Sequence, residues 1–324
     1  TAIMLNNASF MGRDSVFYDS ITNPRTEYGG RNQNSNLFFS VQEKDLSKAK
    51  IIDYFVYWHG YTVILKPLLM FFNITEIRHI NGIVQLILLL GALYLVYKRL
   101  GIKFVLAFLG AIFFINPVSM AMSLQFSSVY YIMLLSIIVL FGLKNPDWRL
   151  FLWIGIFTAF LDLLTAPLLT LAIPLVFYCS LNHGGVRDDF RNFAKANLAW
   201  GIGYSLMWLL KWVIVCIFTE KKIVKFVIDS IIYRMRGDGY SETNIRTFDY
   251  ITVLKVNFSE LNFEASYFAI LFILLLILIS NFKKNIVFKK DYRMLFLIII
   301  SLYPFVWYFI FINHSVIHSF ITYR

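Results

Sequence analysis

From about Ile80 onward the hydrophobic and polar positions of this chain alternate on the scale of whole helices. Long apolar runs such as Gly82–Tyr97, Tyr267–Phe282 and Met294–Ile312 are separated by short polar connections. Runs of this length approach the ~20 residues that a helix needs to cross a ~30 Å hydrocarbon core. The pattern predicts about eight membrane spans, near 81–97, 104–122, 127–143, 149–165, 167–181, 196–218, 266–282 and 294–313. The expected fold class is therefore all-α, a polytopic transmembrane helix bundle with interfacial helices and outer-face loops. Residues 1–78 form a first loop outside the membrane, and residues 79–324 form the bundle, with a further outer loop at 219–265.

Two stretches break this pattern. YFVYWHGYTVILKPLLMFFN, residues 54–73, is apolar and aromatic but is interrupted by His59, Gly60, Lys66 and Pro67, which suits a helix lying in the membrane interface. KKIVKFVIDSIIYRMR, residues 221–236, alternates basic and aliphatic residues at helical spacing and suits a second one.

Composition agrees, with 59% hydrophobic and only 15% charged residues, too few for a soluble polar shell. The net charge of +11 could point to nucleic acid, but the basic residues sit in the connections between apolar runs and form no single soluble face, so no nucleic-acid partner is expected. Lys98, Arg99 and Lys103, then Lys144 and Arg149, then Arg187, Arg191 and Lys195, then Lys283, Lys284, Lys289, Lys290 and Arg293 occupy every second connection. The positive-inside rule places these in the cytoplasm and residues 1–78, 219–265 and 313–324 outside, in a multi-pass protein of the cell membrane. Cys179 and Cys216 fall inside expected spans and read as small apolar residues. The start at Thr1, with no basic leader or first anchor before it, leads us to expect a truncated front, and Arg324 a truncated back.

Polar residues in or beside the spans are the candidates for chemistry. Asp162 lies near the outer end of its span, either as a carboxylate lining an outward cavity or as a cap on the turn that follows. Lys211 lies deeper, between Trp208 and Trp212. It either snorkels outward or holds an ammonium at headgroup depth to bind a phosphate. Trp58 and His59 sit beside Gly60, which permits close approach of backbone or ligand. Arg78 adds positive potential near the same surface. His314 and His318 share a face if the tail is helical, with Arg324 beyond them. Without the Glu of H-E-x-x-H, their spacing leaves room for a divalent metal and requires none. Asp14 and Asp19 are among the first-loop carboxylates that could act as a general base. The chain carries no phosphate loop, no G-x-S-x-G and no C-x-x-C, so nucleotide-driven, hydrolase and redox chemistry lose ground, and no cofactor is firmly implied.

YWHGY followed by ILKPLLMFFN and EIRHIN, then LDLLTAPLLTLAIPL, WGIGYSLMWLLKW and the closing NHSVIHSFITYR, resemble a group of bacterial multi-pass proteins placed near the GT-C class of integral-membrane glycosyltransferases. The resemblance covers most of the chain after Asp53. It implies transfer of a sugar from a polyprenyl-phosphate donor to an extracytoplasmic acceptor, a cell-envelope glycan, within membrane lipid. On that footing Asp14 or Asp19 is the base, with Asp162 in the pocket, and Lys211 and Arg78 hold phosphate. His59, Trp58, His314, His318 and Arg324 line the rest. A flippase for lipid-linked glycans and an outer-face polymerase or ligase are the competing classes.

Overall fold

A computed structural model describes the chain except for residues 11, 13, 14, 30, 31, 43–47, 182, 183, 220–222, 237–248, 261–291 and 324. The expected span at 266–282 and most of the basic connection after it lie outside the described residues.

The first segment is built on its asparagines. It comprises α1 (Ala2–Ser9), α2 (Val16–Thr22), β1 (Pro24–Glu27), α3 (Gln33–Gln42), β2 (Lys50–Asp53) and α4 (Thr62–Phe71). Asn23 ends α2 in the left-handed conformation, φ 49°, which asparagine tolerates better than most residues. The two strands pair antiparallel, Pro24 opposite Asp53 and Glu27 opposite Lys50. Asn6 then completes the free edge of β1, donating from Nδ2 to the Thr26 carbonyl at 3.0 Å and accepting from the Thr26 amide at 3.1 Å. The all-α expectation thus holds for the described bundle, and the described part of the first segment carries this short two-stranded antiparallel sheet, its strands joined through α3. Only Thr62–Phe71 of the expected helix at 54–73 is helical, because His59 adopts φ 56° and turns the chain.

The bundle begins at α5 (Ile74–Leu100), where Asn73 and Glu76 form a reciprocal capping box and Lys98 and Arg99 complement the helix dipole at the far end. Ile83, Ile87 and Leu90 lie exposed along α5, the face a bilayer would cover. The span expected at 104–122 is two helices, α6 (Ile102–Ile115) and α7 (Pro117–Met122). Asn116 breaks it at φ 60° and caps the Ser119 amide, and Pro117 opens the new helix. The carbonyls left open where α7 ends must find partners inside the bundle. Asn81 of α5 donates to the Ala121 carbonyl at 2.7 Å, while Gln85 of α5 and Ser127 of α8 (Leu124–Gly142) donate to that of Met120 at 3.1 and 2.8 Å.

α9 (Leu150–Leu161) and α10 (Leu168–Leu181) follow, 12 and 14 residues long. At 1.5 Å per residue they rise only about 18 and 21 Å, short of the ~30 Å core. α11 (Val186–Thr219), α12 (Ile223–Arg236), α13 (Tyr250–Glu260), α14 (Arg293–Ser301), α15 (Tyr303–Ile310), α16 (Ile312–Ile317) and α17 (Ser319–Thr322) complete the described chain. Among the described residues four stretches are long and apolar enough to cross a membrane: α5, α8, α11 and Arg293–Ile310. The expectation of about eight is corrected for the described residues: breaks at Asn116 and Asp162 shorten the spans expected at 104–122 and 149–165, the helix at 167–181 is itself too short, and 266–282 lies outside the described residues.

α9 and α11 cross at two glycines. A Cβ on Gly155 would lie 2.2 Å from the Trp200 carbonyl oxygen, and one on Gly203 2.2 Å from that of Leu152, so the backbones themselves are in contact. Thr158, Thr170 and the Trp200 indole then link α9, α10 and α11 through hydrogen bonds of 2.8 and 3.2 Å.

The connections gather at two ends. At one, Arg99 donates to the Leu143 carbonyl and the Lys195 ammonium lies 5.3 Å from the Trp148 ring. At the other, α1–α4 meet the 117–127 and 162–167 turns, the last part of α11, α12, and α16–α17. This second end holds most of the candidate residues.

Candidate functional site

Lys211 is the central charge of the polar end. It is completely buried and does not snorkel. Its Nζ donates to the Ile21 carbonyl at 2.5 Å, one of the acceptors left open in the last turn of α2, where a cation also suits the helix dipole. The ammonium stands 5.3 Å from the Trp58 ring centroid, and the Trp58 indole donates back to the Met207 carbonyl of α11 at 2.7 Å. No described carboxylate pairs with Lys211. It faces a cavity of about 580 Å³ whose walls include Asp19, Trp58, His59, Lys66 and Phe160. Four residues singled out from sequence, Asp19, Trp58, His59 and Lys211, therefore meet in one place.

His59 owes its position to the turn at its own φ and to Gly60, whose amide donates to the Phe160 carbonyl at 2.9 Å. A Cβ on Gly60 would lie 2.4 Å from the Phe160 ring, so the glycine serves the approach of one backbone to another. The Tyr54 carbonyl, 3.0 Å from Nε2, can only accept, which places the proton there. Nδ1 then accepts from the Tyr61 hydroxyl at 2.8 Å. Burial, reinforced by the Lys211 charge, holds the imidazole pKa down at about 3, so it is neutral at pH 7. With both nitrogens engaged, His59 shapes the cavity wall and has no lone pair to spare as a base.

The tail histidines open onto a second cavity, of about 700 Å³. His314 and His318 do share a face, their ring centroids 4.8 Å apart. His314 Nε2–H donates to the Leu164 carbonyl at 3.2 Å, whereas Nδ1 of His318 is buried with no partner among the described residues. Burial lowers both pKa values, that of His314 to about 3, and the neighbouring Arg234 adds to the effect. Among the described residues no cluster of three or more His, Cys, Asp or Glu is placed to hold a metal. Residues 54–60 separate the two cavities, with Tyr54 and Tyr57 facing the second and Trp58 and His59 the first.

The remaining candidates stand apart. Asp162 is 2% exposed, ends α9, and accepts from the Thr165 amide at 2.9 Å and from the Thr165 hydroxyl. It closes the turn before α10 and faces neither cavity. Arg78, with its Nε buried and unpartnered, lines a third cavity beside Gln85 and Tyr130. Asp14 and Arg324 lie outside the described residues.

Three residues that sequence reasoning passed over complete the second cavity: Tyr57, Arg234 and Asn313. Arg234 lies in the last turn of α12 and donates from Nη2 to the Tyr57 hydroxyl and from Nη1 to the Ser230 carbonyl, both at 2.8 Å. Its signal was present in the sequence, since residues 221–236 read as an amphipathic basic helix, and the last turn of the observed Ile223–Arg236 helix points back into the fold. Asn313 and Tyr57 carried none beyond their neighbours.

The fold and these cavities define a helical membrane protein with its polar chemistry collected at one end of the bundle. Comparison with protein families, with curated proteins and with solved structures finds no match to this chain.

Proposed function

We propose that this protein is a membrane glycosyltransferase that moves a sugar from a polyprenyl-phosphate donor to a hydroxyl of an extracytoplasmic cell-envelope glycan. The observation that carries the reading is that a carboxylate, Asp19, and a buried cation with no carboxylate partner among the described residues, Lys211, line the same cavity at the polar end. An inverting transfer needs both. Asp19 takes the proton from the acceptor hydroxyl as its oxygen bonds to the sugar's anomeric carbon. The bond from that carbon to the phosphate oxygen breaks, and the electron pair leaves on the polyprenyl phosphate, whose growing charge Lys211 stabilises. Lys66, exposed at the cavity, supplies attraction for the incoming phosphate, and the Trp58 indole shields the ammonium from water. The cavity volume falls in the range usual for small-ligand sites. The GT-C-like sequence blocks and the positive-inside charge pattern, which assigns the polar end to the extracytoplasmic face, support the same reading.

The test reconstitutes the chain in liposomes with a lipid-linked sugar and a glycan acceptor, and follows glycosyl transfer and transbilayer movement of the donor separately. Transfer that needs Asp19 is the expected result. Movement of the lipid without transfer overturns the reading in favour of a flippase.

A further inference from the structure

We infer that the second cavity is a separate binding site for a phosphorylated sugar, its anion held by Arg234 and its hydroxyls by Asn313 and His318. The inference concerns binding alone and does not depend on glycosyl transfer. No carboxylate lines this cavity among the described residues, and Arg234 has no acidic partner there. A half-buried guanidinium with no counterion among the described residues is costly, and one that faces a cavity recovers the cost from an anionic ligand. Arg234 spends one N–H on Ser230 and one on Tyr57, which leaves the rest of its five donors for a ligand. The two histidines are held neutral and supply hydrogen bonding in place of charge.

The rest of the lining points to a hydroxyl-rich molecule. Asn313 is 1% exposed, its Nδ2 is committed to the Tyr233 carbonyl at 2.8 Å, and its buried Oδ1 has no partner among the described residues. Nδ1 of His318 is likewise buried and unmatched. Unmet polar atoms of this kind are destabilising, and ligand hydroxyls can restore their hydrogen bonds. Gln33, Asn34 and Gln125 add amides, and Tyr54 and Tyr57 add aromatic surface. An apolar lipid tail satisfies none of these groups, whereas a sugar bearing a phosphate satisfies all of them.

The experiment titrates the full chain, held in phosphatidylcholine nanodiscs, with glucose 1-phosphate by calorimetry, with glucose and inorganic phosphate as comparison probes. Glucose 1-phosphate is expected to bind roughly tenfold or more tightly than either alone, since it engages both halves of the site. Arg234→Met is expected to weaken it by roughly tenfold or more and His318→Phe by several-fold, while Lys195→Met, exposed at the opposite end of the bundle, changes it by less than about twofold. If Arg234→Met does not melt as a folded protein, Arg234→Lys carries the test, because it keeps the charge and loses the planar fork, and a clear loss is again expected. Unchanged affinity in the Arg234 variant, or equal loss in Lys195→Met, overturns the assignment. Displacement of glucose 1-phosphate by a prenyl phosphate added to the nanodisc identifies the anion as a lipid headgroup, and its retention identifies a soluble ligand. Either result supports the site.

Discussion

The ammonium of Lys211, deep in the bundle on α11, is bonded to the main-chain carbonyl of Ile21, 190 positions earlier in the chain. A seven-residue helix such as α2 has no independent stability, so its place against the bundle depends on contacts of this kind. Lys211→Met keeps the length of the side chain and removes the donor, leaving a buried carbonyl unmet. The expected loss is about 1.5–3 kcal/mol of stability, the range for a hydrogen bond to a charged group. It is read as a lower melting temperature in detergent and faster proteolysis near Phe17 and Tyr18. Unchanged protease resistance of α2 would remove Lys211 as its anchor.

A sharper structural test lies at the crossing of α9 and α11. Gly155→Ala and Gly203→Ala each place a methyl about 2 Å from a carbonyl oxygen, so the helices must separate. Each substitution is expected to cost at least about 1–3 kcal/mol, the usual price of overpacking, and the double variant less than the sum, because one separation relieves both clashes. Gly201→Ala, on the same helix with open space around it, is the matched control and leaves the melting temperature nearly unchanged.

The long spans were legible because α5, α8, α11 and residues 293–310 depend only on length and apolar content. The shortened ones were not. Asn116 and Asp162 end helices through side-chain hydrogen bonds to the Ser119 and Thr165 amides, and nothing in hydropathy separates a helix that stops from one that continues. Of the site, charge in an apolar setting marked Lys211, and aromatic spacing marked Trp58 and His59. Which charges share a cavity was hidden, because that depends on where 54–60 runs. The chain turns there at His59, sending Lys211 and His314 to opposite sides of one short segment and leaving Asp162 with neither.

The histidines make stability depend on acidity with a definite sign. His59 and His314 are held near pKa 3 by burial, against about 6.5 in the unfolded chain. Between these values the unfolded state binds more protons, so stability is full above pH 6.5 and falls as the pH drops toward 3. Each histidine contributes a slope of up to about 1.4 kcal/mol per pH unit in that window. Melting temperatures of wild type and His314→Gln from pH 7 to pH 4.5 measure the difference, and the variant is expected to lose stability less steeply by about one proton. Parallel curves would mean that His314 is protonated in the folded protein.

Within the first cavity, Asp19 and Lys66 are expected to fail in different ways when replaced. Asp19→Asn keeps the shape of the side chain and removes its basicity, so it removes an interaction needed only as the proton leaves the acceptor. Turnover should fall by roughly 10²–10⁴ with donor KM changed little, the signature of lost general-base catalysis. Lys66 is exposed, and its charge acts on the approaching phosphate before any bond is broken. Lys66→Gln should therefore leave kcat nearly intact, raise KM modestly, and flatten the dependence of kcat/KM on salt, because a charge at the rim acts mainly through encounter. The two profiles are separable in one liposome assay run across donor concentration at low and high ionic strength. If Asp19→Asn instead raises KM and spares kcat, the carboxylate binds the sugar and the base lies elsewhere. Equal salt dependence in wild type and Lys66→Gln would take Lys66 out of the donor's path.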